Sequence, residues 1–104
     1  MNIRFEYLYR DAGNFKNWGE IIFSNKNNYD ADYLEKQVRA VLIDKEFFST
    51  NKANIPNLQF HQYILSLDHD WHEFYSFQLS SEKTTDLYTR DIVEFIESLK
   101  RVPI

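Results

Sequence analysis

The 104-residue chain contains no cysteine. Disulfides and thiolate metal ligands are therefore excluded, and a reducing compartment fits. Glycine and proline are scarce, with two of each, and there is a single methionine. Few positions offer free backbone conformations or flexible core filling. Apolar runs are short throughout, too short for a spanning helix. Met1-Asn2-Ile3-Arg4 shows no basic region leading into an apolar stretch, so no signal peptide is expected. Clustered positive charge is also lacking. Net charge is −4, with acids and bases spread along the chain. Nucleic-acid binding draws most of its affinity from phosphate neutralisation and is disfavoured here. A single cytoplasmic domain spanning 1–104 is expected, without cofactor or membrane contact, as a monomer or weak homodimer.

Aromatic residues are abundant: nine Phe, seven Tyr and two Trp. Large rings fill a small core efficiently, and core packing is the first explanation for any one of them. Ile3, Phe5, Tyr7 and Tyr9 recur at every second position, which predicts a strand. Asp11-Ala12-Gly13-Asn14 reads as a turn, and Trp18 to Ser24 as the returning strand of a hairpin. Asp30 is placed to cap a helix running to about Lys45, with Leu34, Val38, Val41 and Leu42 as its apolar stripe. Phe47 and Phe48 are expected to close the core behind it.

A third strand is expected from Leu58-Gln59-Phe60 towards Tyr63, and a fourth from about His72 to Ser80. Alternation in the fourth puts Phe77 and Leu79 on the core face, with Glu73 at its rim. Leu8, Ile22 and Phe74 then fall on the opposite face. Thr84 or Thr85 would cap a last helix whose buried stripe is Tyr88, Ile92, Phe95, Ile96 and Leu99. The resulting order is ββαββα. It implies an α+β fold in which two helices cover one face of a four-stranded, mainly antiparallel sheet. The uncovered face would carry an apolar patch suited to a protein interface.

Chemistry concentrates in Asp68-His69-Asp70-Trp71-His72-Glu73-Phe74. Its five titrating side chains and two aromatics admit several roles. Imidazole and carboxylate can ligate a divalent metal, although His69 and His72 lack the spacing of zinc hydrolases and only His61 lies near. His69, His72 and Glu73 could supply acid/base catalysis in a small hydrolase or nuclease. Asp68 and Asp70 could equally bond local amides in a turn. A second cluster surrounds the first turn: Tyr7, Tyr9, Arg10, Asp11, Asn14, Phe15 and Lys16. There Arg10 and an acid could lock the hairpin, or the cations and rings could hold an anion or stack bases.

The strings Tyr7-Leu8-Tyr9-Arg10-Asp11, Asn14-Phe15-Lys16, Glu20-Ile21-Ile22-Phe23-Ser24-Asn25, Leu42-Ile43-Asp44-Lys45-Glu46-Phe47-Phe48 and Asp68 to Phe74 together resemble a widespread, functionally unassigned family of small bacterial proteins. The likeness spans most of 3–78 and brings no catalytic residues. In size, acidity and architecture the chain is also similar to bacterial toxin-immunity proteins. That similarity implies a binding protein that inhibits a protein partner, such as a basic toxin domain. Its contact surface would combine Tyr9, Arg10, Asp11 and Lys16 with Asp68, Asp70, Trp71 and His72, provided that the two segments meet in space.

Overall fold

The computed structural model describes residues 1–60 and 71–100. Strands β1 (Asn2–Arg10) and β2 (Lys16–Phe23) form the antiparallel hairpin expected at the N-terminus, in unbroken register from Ile3 opposite Phe23 to Arg10 opposite Lys16. Helix α1 (Ala31–Val41) starts at Asp30, whose carboxylate accepts from the Tyr33 N–H at 2.7 Å. It stops short of Lys45 because Asp44 and Lys45 take φ of 51° and 61°. Those left-handed residues turn the chain so that Ile43 and Phe47 exchange two backbone hydrogen bonds of 2.8 Å.

Phe47 and Phe48 do more than close the core: they form strand β3 (Phe47–Phe48), which pairs with Glu73 and His72. This corrects the expected third strand. Leu58 to Phe60 is irregular, and His61, Tyr63 and the rest of 61–70 lie outside the described residues. A one-turn helix α2 (Thr50–Ala53) follows β3. Strand β4 (His72–Ser80) then lies between β1 and β3, giving the order β2-β1-β4-β3 with every pairing antiparallel.

The last helix, α3 (Ile92–Leu99), begins well after Thr85. Asp91 caps it, and Glu94 reaches back to the Asp91 N–H in a capping box that satisfies two orphan donors. Thr85 is occupied elsewhere: its hydroxyl and N–H bond the backbone of Ile22. Asp86 bonds Arg90, and Tyr88 stays exposed rather than joining the buried stripe. Leu34 and Val38 from α1 join Ile92, Phe95, Ile96 and Leu99 from α3 and the inward side chains of the sheet in one core. Both longer helices thus lie on one side of the sheet, and the other side is free of helices. No helix among the described residues is long and apolar enough to cross a membrane.

A bulge in β4 changes the expected sidedness. Glu6 pairs with Ser76 but Tyr7 pairs with Phe74, so Tyr75 has no opposite residue. That extra residue resets the alternation, and a bulge does this without ending the strand. Phe74 joins Phe77 on the core side, their rings 5.2 Å apart, whereas Leu79 is half exposed at the strand end.

Candidate functional site

The helix-free face of the sheet is a mixed field. Leu8 stands opposite Trp18 on one side and Glu73 on the other. Trp18 and Tyr75 meet edge-to-face with centroids 4.9 Å apart, and each keeps about half its surface exposed, 51 % and 54 %. Leu8 and Ile22 share this face but are buried, so the expected patch of Leu8, Ile22 and Phe74 is absent. The exposed rings of Trp18 and Tyr75 stand in its place. Trp18 shares parity with Ile22 along β2, which the sequence displays. Tyr75 was hidden by the bulge.

Charged residues surround the pair. The Arg10 Nε–H donates to Glu73 Oε2 at 2.9 Å and its Nη2 to Oε1 at 3.4 Å, while Nη1 donates to Asn14 Oδ1 at 2.6 Å. The hydrogen bonds that Arg10 donates to Glu73, with the charge of that carboxylate, raise the Arg10 pKa above its ordinary value. Glu73 is buried and Arg10 is more exposed, so solvent screens the pair from one side. Glu6 accepts from Ser76 Oγ–H at 2.7 Å. Glu20 and Glu82 lie on either side of Arg4, at 3.2 and 3.5 Å.

The ion pair between Arg10 and Glu73 joins the tip of the first hairpin to the start of β4, the described end of the second segment. The two segments do not present all the residues assigned to them. Tyr9 is buried, its ring 5.2 Å from that of His72. His72 has no exposed surface, and its Nε2 accepts from the Leu58 N–H at 2.9 Å. An accepting Nε2 carries no proton, so the ring is held neutral with its hydrogen on Nδ1. Both side chains therefore build the interior rather than a contact surface.

Asp11 closes the turn by accepting from the Phe15 N–H at 2.9 Å. Lys16 is exposed at the start of β2, and Trp71 is partly exposed beside Phe48, Lys52 and Leu99 in a hollow of about 280 Å³. Asp68, His69 and Asp70 lie outside the described residues. Among the described residues no three His, Cys, Asp or Glu side chains gather closely enough to hold a metal.

A larger groove of about 640 Å³ opens between the loop after α2 and residues 85–88, with Asn51, Asn54, Asn57, Pro56, Leu87 and Tyr88 among its walls. It offers amides and apolar surface. Its one carboxylate among the described residues, Asp86, is already committed to Arg90. No family model, no curated protein and no solved structure matches the chain.

Replacing Glu73 by Gln is expected to cost about 1 kcal/mol, since it removes a charge-assisted bond from a half-screened arginine. A urea titration would show this as a lower midpoint at unchanged slope. The loss should shrink in high salt if the ion pair is the cause.

Proposed function

We propose that this chain is a small protein-binding protein, an inhibitor of the immunity or antitoxin type, and that it meets its partner through the helix-free sheet face around Trp18 and Tyr75. The observation that carries the reading is the half-exposed ring pair on a rigid sheet. Aromatic anchors of this kind dominate binding energy, because they bury large area with little side-chain entropy to lose. Glu6 and Glu20 stand opposite one another on the same face, next along their strands from Leu8 and Trp18, and the chain carries a net charge of −4. Such a field attracts a basic partner and speeds its encounter.

The test is to purify the chain with the products of its adjacent reading frames and titrate any complex by calorimetry. A basic product should bind in equal proportion and lose its own activity on binding. The double variant W18A/Y75A should weaken that complex roughly 100-fold, as expected for two hot-spot rings. Unchanged affinity in the double variant would reject this surface. If no neighbouring product is bound or inhibited, the inhibitor reading falls.

A further inference from the structure

We infer that two copies of this chain pair through the outer edge of β2, antiparallel about a two-fold axis at Trp18, joining two four-stranded sheets into one. The inference goes beyond the docking reading and does not rest on it.

The starting point is which backbone groups of β2 face outward. In an antiparallel pair, successive residues point their N–H and C=O alternately towards and away from the neighbouring strand. Ile22 gives both groups to Thr85, and Ser24 gives its C=O to the Ile92 N–H, so the even-numbered residues point away from β1. Lys16, Trp18 and Glu20 belong to the same set. Among the described residues nothing bonds their backbone groups. Thr85 closes this edge at Ile22, and the Asp11–Asn14 turn ends it before Lys16. What remains is a short edge of three outward-facing residues.

An open edge is ordinarily a hazard, and an exposed lysine on it is a common protection against pairing. The arrangement around Trp18 argues otherwise, because it is self-complementary. With Trp18 facing Trp18 of a second copy, Lys16 of each chain falls directly opposite Glu20 of the other. All three are hydrogen-bonded positions, so about six backbone bonds form. Opposite charges directly across a ladder stabilise it, and the two indoles would stack side by side. Sliding by two residues in one direction sets Ile22 against the second copy, where Thr85 already sits. Sliding the other way sets Glu20 against the turn residue Asn14. Only the Trp18-centred register uses the whole free edge.

Glu20 is available for the contact. Arg4 Nε lies 3.2 Å from its Oε2 but makes no hydrogen bond to it, and the Glu20 side chain remains 55 % exposed. Side chains 16, 18 and 20 all rise on the helix-free face, so pairing would bring two Trp18–Tyr75 clusters onto one continuous surface.

Sedimentation equilibrium tests this with the purified chain alone and no partner present, so it can fail independently of the inhibitor reading. The interface is small, and dimer is expected at protein concentrations of about 100 μM. K16E places a carboxylate opposite Glu20, and E20K places an ammonium opposite Lys16. Each variant alone should dissociate roughly tenfold more readily, because two attractive pairs become repulsive. An equimolar mixture of K16E and E20K should recover a one-to-one heterodimer, since both cross-strand pairs are then of opposite sign. Circular dichroism establishes that each variant is folded before mixing. A wild-type chain that stays monomeric overturns the inference, as do single variants that dimerise like wild type or a mixture that does not associate.

Discussion

Replacing Arg90 by Ala is expected to destabilise the fold by about 3–5 kcal/mol, the range for breaking a buried ion pair by removing one partner. The Asp86 and Arg90 side chains are only 2 % and 11 % exposed. The guanidinium makes two bonds to the Asp86 carboxylate, at 2.9 and 3.0 Å, and two more to the carbonyl oxygens of Ala53 and Asn54, at 2.7 and 3.1 Å. It also lies over the rings of Phe23 and Phe95, at 5.7 and 5.2 Å. One side chain thus ties α2, the loop before α3 and the core together. Without it, a buried carboxylate keeps only backbone donors, and two carbonyls lose their guanidinium donor. The thermal midpoint should fall by roughly 15–25 °C.

Acid titration separates the charge effect from lost packing. Burial alone pushes the Asp86 carboxyl upward, but the hydrogen bonds and charge of Arg90 outweigh it and hold the group below its ordinary value. A carboxyl lowered on folding contributes stability above its unfolded pKa of about 4 and loses it as pH falls further. In R90A only backbone N–H bonds, that of residue 90 among them, still oppose the upward push of burial, and protonation should partly relieve the variant. The gap between wild type and R90A should therefore narrow below about pH 4. A cost below about 1 kcal/mol, or a gap independent of pH, would contradict this account of the pair.

Phe5→Ala is expected to cost a similar 3–5 kcal/mol, through lost burial and the cavity left behind. Phe5 has no exposed surface and stands at the centre of the ring cluster. Its centroid lies between 4.9 and 6.4 Å from those of Tyr7, Phe23, Phe48, Phe74, Phe77 and Phe95. Those rings come from every strand and from α3, so none can move inward without leaving other contacts. Phe5→Leu keeps most of the apolar volume and should cost less than half as much. Denaturant titrations with equal slopes would check the ordering. A near-neutral Phe5→Ala would mean that the neighbouring rings collapse into the space.

Much of this core is legible in the sequence. The period of two through Ile3, Phe5 and Tyr7 and the spacing of Leu34 and Val38 announce which side chains go inward, because those patterns are local. Features set by distant partners are harder to read. Nothing near Thr85 signals that its hydroxyl is taken by Ile22, so the local pattern points to a start of α3 earlier than the true one. The left-handed pair Asp44 and Lys45 bends the chain without a glycine, so Phe47 and Phe48 did not announce themselves as a strand. The candidate site divides the same way. The pairing of Arg10 with an acid near the turn was expected, and its partner is Glu73, 63 residues away. Tyr9 and His72 carry polar groups suited to a surface, yet each ends beside the other in the interior. Trp18 shares parity with Ile22 along its strand, but its partnership with Tyr75 depends on a residue that breaks the alternation.

The unpaired Tyr75 also bears on how the chain finds this arrangement. β1 and β4 are distant in sequence and must locate one another in a search that offers competing alignments. Displacing β4 by one position would turn Phe77 to solvent and drive a polar neighbour inward. With the extra residue at Tyr75, the two halves of β4 obey opposite parity, so no bulge-free alignment satisfies both. A misaligned encounter is thus penalised at one end or the other, and the irregularity acts as a proofreading mark during assembly of the sheet.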